Sequence, residues 1–134
     1  MSIKDNITPE ELKSLSERKV LDATILFREG RFDTAYYLCG YAVEMALKRR
    51  ICLTLGWKEG YPKKKFDNLT SFKTHKLEVL LHLSGFEEKV RKDYLLVWSV
   101  VADWDPEVRY SSLDTDQQTA EAMIASTKAL LEIL

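Results

Sequence analysis

The sequence predicts an all-α protein, an antiparallel up-and-down helical bundle of four main helices plus one shorter helix. Apolar residues recur at three- and four-residue steps over most of the 134 residues, which is the period of a helix with one buried side. No stretch has a convincing strand pattern that would find a partner strand. Most connections between the helical segments are short, which places successive helices side by side in opposite directions.

The composition predicts a single soluble domain that spans residues 1–134. A hydrophobic content of 46% and a charged content of 31% are ordinary for a globular chain. The net charge of −1 excludes an overall field that would attract nucleic acid or an anionic membrane. We also expect no membrane association and a cytoplasmic location, because the sequence has neither a signal-peptide core nor a run of about 18 apolar residues.

The first two helices have clear boundaries. Thr8, Pro9 and Glu11 provide an N-cap hydroxyl, a proline in the first turn and a carboxylate at the third position, which together make a capping box. Gly30 is expected to end this helix, and the second helix begins at once and runs to Gly56.

The second helix carries two rows of residues with different character. The apolar row is expected to form the bundle core and consists of Phe32, Ala35, Tyr36, Cys39, Ala42, Val43, Ala46 and Leu47. The second row is mixed and consists of Tyr37, Gly40, Tyr41, Glu44 and Lys48. Glu44 and Lys48 stand in the favourable order for an ion pair on a helix. They form either a solvated pair or part of a groove that binds a ligand.

Residues 57–73 are expected to form a loop, because they contain Gly60 and Pro62 and show no sustained period. This segment is the most basic in the chain, and aromatic residues lie among its lysines. Such a pattern can bind single-stranded nucleic acid by charge and stacking. The alternative is an ordinary solvated loop.

The remaining helices are shorter or more apolar. A short helix opens at residues 74–77, with His75 just inside its N-terminus, and ends at Gly85. A fourth helix covers residues 87–102, and its second half is apolar nearly all round, so we expect it to be central. The last helix covers residues 116–133.

The cysteines and histidines predict neither a disulfide nor a metal site. Cys39 and Cys52 lie on one helix, about 20 Å apart at about 1.5 Å rise per residue, which is too far for a disulfide. We expect both to be buried thiols. His75 and His82 are badly spaced for joint chelation, and no HExxH or CxxC motif is present. We therefore expect no metal and no cofactor.

A proline-broken helix end followed by Arg109 and Tyr110 is a second candidate feature. An arginine held at the mouth of a bundle suits phosphate, because its planar guanidinium presents a fork of donors. The alternative is an arginine that ties down its own loop through a carboxylate or backbone carbonyls.

Three segments together resemble the HEPN domain of prokaryotes and higher eukaryotes, in their order and rough spacing over most of the chain. They are EGRFDTAYYLCGYAVEMALKRRI (Glu29–Ile51), THKLEVLL (Thr74–Leu81) and WDPEVRYS (Trp104–Ser111). The resemblance implies an all-α bundle that is usually a homodimer. It also implies a small nucleotidyltransferase encoded nearby, in toxin–antitoxin-like pairs. Some HEPN proteins bind nucleotides, and many are metal-independent endoribonucleases.

The chain departs from the ribonuclease members of that family. Those members carry an arginine that is followed, after four to six residues, by a histidine. No histidine follows Arg109 here, and no arginine precedes either histidine at that distance. The residues that the resemblance carries over as ligand-binding are Glu44, Lys48, His75, Arg109 and Tyr110, and none is assigned a catalytic role.

The resulting hypothesis is a non-catalytic HEPN-type homodimer that binds a nucleotide or a phosphate-bearing partner. It would act with a partner such as a small nucleotidyltransferase. Two alternatives remain. One is a divergent metal-independent endoribonuclease that brings Arg109 and His75 together, with RNA as its ligand. The other is a purely structural interaction subunit.

Overall fold

Six helices and a two-stranded sheet make up the part of the chain that the structure describes. This structure is a computed structural model, and it describes residues 6–62, 72, 74–106 and 115–134. The elements in chain order are β1 (Asn6–Ile7), α1 (Pro9–Arg28), α2 (Phe32–Leu55), β2 (Tyr61–Pro62), α3 (Leu77–Ser84), α4 (Glu87–Asp93), α5 (Leu95–Val101) and α6 (Gln117–Ile133). The predicted all-α helical bundle is confirmed. None of the helices described is long and apolar enough to cross a membrane.

Helix α1 begins at the predicted capping box. The Glu11 backbone N–H donates to Thr8 Oγ1 at 3.1 Å, and the Thr8 N–H donates to Glu11 Oε1 at 3.2 Å. Both bonds satisfy backbone donors that the first helical turn would otherwise leave without a partner. Gly30 follows the end of the helix, as predicted, and the chain turns there into α2.

Helix α2 is the centre of the bundle, because it packs against α1, α3 and α6. Most of its predicted apolar row is buried, including Ala35, Cys39, Val43 and Leu47. The many small residues in this row let neighbouring helices approach closely. The predicted end at Gly56 is confirmed.

The region predicted as one helix over residues 87–102 is two helices, so that prediction is wrong. Tyr94 separates α4 from α5 with φ −132° and ψ 28°, outside the helical region. Its backbone still bridges the two helices, since Tyr94 donates to Val90 and Trp98 donates to Tyr94, both at 2.8 Å. Val90 on α4 and Trp98 on α5 are both buried, so the two helices each contribute to the core.

The second half of this region is also less central than predicted. Leu96 is 83% exposed and Leu95 is exposed as well, whereas Trp98 and Val101 are buried. Helix α5 packs mainly on α6 and therefore buries only one side. An apolar run does not report how many neighbours surround a helix.

The segment predicted as a loop without strands contains β2. Asn6 pairs with Pro62 and Ile7 with Tyr61 in an antiparallel ladder between β1 and β2. Gly60 makes this approach feasible, because a Cβ at this residue would overlap the Ile7 backbone. A two-residue strand has too few positions to show a period in sequence, which explains why the prediction missed it.

The aromatic residues described in this basic segment pack against one another. The Trp57 ring centroid lies 5.9 Å from that of Tyr61 and 5.1 Å from that of Phe72. Tyr61 is buried and donates its hydroxyl to the Phe72 carbonyl. The Tyr61 ring is therefore unavailable to a nucleobase, whereas Trp57 and Phe72 are partly exposed. The lysines at 63–65 lie outside the described residues.

The end of α6 is held against α2 by two arginines. Arg49 Nη1 donates to the Leu134 backbone oxygen at 2.7 Å, and Arg50 donates to the same atom through Nε at 3.1 Å and Nη2 at 2.9 Å. The Arg50 guanidinium also lies 4.3 Å from the centroid of the Phe86 ring. The N-terminus of α6 matches the prediction, because Asp116 caps it by accepting from the Thr119 N–H at 2.7 Å.

The two cysteines are buried free thiols, as predicted. Burial raises the pKa of both Cys39 and Cys52 to about 11. We therefore expect iodoacetamide to label the folded protein very slowly at pH 8, because the reactive thiolate is scarce and shielded. Labelling should become fast in urea. Peptide mass spectrometry measures the labelling at each cysteine. Rapid labelling of Cys39 in the folded protein would contradict this burial.

The same pKa shifts determine whether the folded protein becomes more or less stable at alkaline pH. The unfolded chain loses these thiol protons near its usual value of 9.0, and the folded chain loses them only at about 11. The stabilisation that the two buried thiols contribute is therefore fully present below pH 9, and it decreases as the pH rises towards 11.

Candidate functional site

Three of the five predicted site residues meet at one buried carboxylate. Glu44 on α2 accepts a hydrogen bond from Lys48 Nζ at 3.0 Å, one turn further along the helix. His75 Nδ1 lies 3.0 Å from Glu44 Oε1 and 3.1 Å from Oε2. The structure thus brings together Glu44, Lys48 and His75. Arg109 and Tyr110 lie outside the described residues.

His75 lies before the third helix and not inside its N-terminus, so that part of the prediction is wrong. Helix α3 begins at Leu77, and Lys76 is its N-cap with an extended backbone (ψ 114°). The Lys76 N–H donates to Thr74 Oγ1 at 3.0 Å. This local turn competes with helix formation and holds His75 in the connecting segment, where its ring reaches α2.

Lys48 serves mainly as the counter-ion of Glu44. Its Nζ also lies 5.2 Å from the centroid of the Tyr61 ring, and only 18% of its side chain is exposed. The Glu44 side chain is 6% exposed, whereas that of His75 is 63% exposed. His75 is therefore the member of this cluster that a ligand would reach first.

The contact with Glu44 decides which nitrogen of His75 carries a proton. A carboxylate paired with an ammonium accepts hydrogen bonds and donates none. The proton therefore belongs on Nδ1, and Nε2, on the far side of the ring, is left for another partner. Nε2 accepts a proton or a hydrogen bond when the ring is neutral, and it donates when the ring is an imidazolium.

His75 lines a cleft of about 590 Å³ between the segment before α3 and the segment after α5. This volume suits a ligand of mononucleotide size. The lining residues are Thr74, His75, Lys76, Leu77 and Glu78 on one side and Ala102, Asp103, Trp104, Asp105 and Pro106 on the other. Glu44 and Lys48 do not line the cleft and support His75 from behind.

The cleft presents groups of both charge signs. Lys76 stands beside His75 on one wall, and Asp103 stands on the opposite wall. The Glu78 carboxylate is engaged, because it accepts from Trp98 Nε1 at 2.9 Å and from the Arg91 guanidinium. The positive side of the described lining is therefore the wall that carries His75.

Trp104 forms the base of the opposite wall. Its buried ring lies directly on Gly40, where a Cβ would overlap the indole, and its Nε1 donates to the Tyr37 carbonyl at 3.1 Å. The Tyr41 ring centroid is 5.0 Å from that of Trp104, and the Tyr37 and Tyr41 hydroxyls are hydrogen-bonded at 2.9 Å.

The mixed row of α2 therefore supports both walls of the cleft. Tyr37, Gly40 and Tyr41 hold the Trp104 wall, and Glu44 holds the His75 wall. The sequence prediction did not assign Trp104 to the site. The available signal was Gly40, since a glycine inside a long helix often marks the close approach of another group.

Within residues 6–62, 72, 74–106 and 115–134, no group of three or more metal-binding side chains lies close enough together to hold a metal ion. Comparisons with known protein families, with curated proteins and with solved structures find no match to this chain. The resemblance to HEPN proteins thus stays a prediction.

Proposed function

We propose that this chain is a non-catalytic HEPN-type protein that binds a nucleotide or another phosphate-bearing ligand in the cleft beside His75. The observation that supports this proposal is the contact between His75 Nδ1 and the buried Glu44 carboxylate at 3.0 Å. It fixes the ring and leaves Nε2, next to Lys76, to donate to an anionic group when the ring is an imidazolium. Hydrogen bonds of this charge-assisted kind are among the strongest that a binding site can offer.

The opposite wall favours a nucleotide over a simple phosphate. The Asp103 carboxylate lines the cleft across from His75 and Lys76. Aspartate side chains accept hydrogen bonds from the amino groups of nucleobases. A ligand with a phosphate at one end and a base at the other matches this separation of charge.

Calorimetric titration with ATP, GTP and short RNA tests the proposal. We expect at least one of them to bind, and His75→Ala to weaken that binding about tenfold or more, because a hydrogen bond to a charged group is lost. His82→Ala is the matched control, since His82 also contacts a glutamate but does not line the cleft. If no ligand gives heat at millimolar concentration, the binding proposal is wrong.

A divergent endoribonuclease is the second candidate, and the Glu44–His75 pair favours it. A carboxylate that orients an imidazole through Nδ1 is a common arrangement for general acid and base catalysis. The RNA samples from the titration, run on a denaturing gel, test this candidate. Cleavage should disappear in His75→Ala and in Arg109→Ala, and cleavage that survives both changes would come from a contaminant.

The proposal also includes a homodimer and a partner such as a small nucleotidyltransferase, as in toxin–antitoxin-like pairs. Leu21 and Ile25 support a docking face, because both are exposed and lie one turn apart on α1. Sedimentation of the wild-type chain and of Leu21→Lys tests the dimer. A purely structural subunit would co-purify with its partner and bind none of the three ligands.

A further inference from the structure

We propose that His75 is a phosphorylation site, whose Nε2 accepts the phosphoryl group of an acyl phosphate. This goes beyond the binding of a nucleotide and does not require one to be present. The geometry that supports it is a histidine with one nitrogen tied to a buried carboxylate and the other available at a cleft.

Glu44 makes His75 a better nucleophile in two ways. It keeps the proton on Nδ1, so that Nε2 carries a lone pair and no proton. It also stabilises the positive charge that the ring gains when Nε2 forms a bond, as carboxylates do for imidazolium ions in hydrolases. Lys48 compensates the Glu44 charge from the other side, so the carboxylate can stay buried.

The phosphoryl transfer balances without another reactant. The Nε2 lone pair forms a bond to phosphorus while the bond from phosphorus to the acyl oxygen breaks. That oxygen takes the electron pair and leaves as a carboxylate. No proton leaves Nε2, since none is bound there, and the Nδ1 proton remains shared with Glu44. Lys76, beside His75 at the cleft, offers positive charge to the phosphoryl oxygens.

The second histidine provides an internal comparison. His82 Nδ1 lies 3.2 Å from Glu87 Oε1, so its local contact resembles that of His75. The Glu87 side chain, however, is 34% exposed and also contacts Arg91, and His82 does not line the cleft. If a neighbouring glutamate alone were sufficient, the two histidines would react alike.

Incubation of the full chain with acetyl phosphate at neutral pH tests the proposal. Peptide mass spectrometry, with acid avoided because the N–P bond is labile there, gives the rates at both histidines. We expect His75 to react about tenfold faster than His82 in the folded protein, the lower end of the effect that hydrogen-bonded partners have on metal-ligating histidines. The ratio should fall towards one in urea and in Glu44→Gln.

Equal rates at the two histidines of the folded wild-type chain would overturn the proposal. So would a ratio that Glu44→Gln leaves unchanged while circular dichroism shows the variant to be folded. If that variant does not fold, ¹⁵N NMR of the wild-type chain decides, and a proton on Nε2 of neutral His75 would refute it. A failure of nucleotide binding leaves all these readouts unaffected, so the two proposals can fail separately.

Discussion

Replacing Gly40 with alanine should lower the free energy of unfolding by about 2 kcal/mol, although the same change in most helices is stabilising. The added Cβ would overlap the Trp104 indole, which is buried and tied to the Tyr37 carbonyl by its Nε1. Overpacking typically costs about 1–3 kcal/mol, and an overlap this close belongs at the upper end, so about 2 kcal/mol is left after the better helix propensity of alanine offsets about 1 kcal/mol. The indole has little room to move, so we expect the overlap to prevail.

Urea unfolding of Gly40→Ala, Trp104→Leu and the double variant measures this effect. Once the indole is removed, Gly40→Ala should become neutral or stabilising, because only the propensity remains. The same destabilisation in both backgrounds would show that the close contact with Trp104 is not its cause.

Replacing Glu44 with alanine should lower the free energy of unfolding by about 3 kcal/mol, the lower end of the range for breaking a buried ion pair. The change leaves Lys48, whose side chain is 18% exposed, without its carboxylate. It also removes the acceptor that holds His75 Nδ1. Urea unfolding measures the loss, and the site should lose ligand affinity at the same time.

The double variant Glu44→Leu/Lys48→Met is the control, because it removes both charges and keeps similar volumes. Buried ion pairs replaced by apolar residues are often neutral or even more stable. We therefore expect most of the stability to return, whereas ligand binding should not. If Glu44→Ala lowers the free energy by well under about 1 kcal/mol, the pair behaves as a solvated surface pair instead.

Sequence patterns correctly predicted the features that depend only on residues close together in the sequence. The capping box at Thr8 and the end of α2 at Gly56 are local, and both are confirmed. The break at Tyr94 and the exposure of Leu96 were not predictable, because both depend on which helices surround α5. The pairing of β1 with β2 joins distant segments through two residues each, too few for a pattern.

Only the part of the candidate site that lies on one helix could be predicted from spacing in the sequence. Glu44 and Lys48 share a helix face, so their contact follows from their spacing. His75 comes from a segment 31 residues away from Glu44, and only the family resemblance pointed to it. The contact between Gly40 and Trp104 depends on tertiary packing. In the sequence, its only sign is a glycine inside a long helix.

The arginine contacts at the end of α6 bear on how the chain folds. They join atoms 84 and 85 residues apart in sequence, so forming them requires closure of a long loop. The last turn of a helix usually opens more easily than the core. Here Leu134 is buried and bound to α2, so this turn opens together with the central helix. Hydrogen bonds that span 84 and 85 residues of sequence thus couple the opening of this turn to α2.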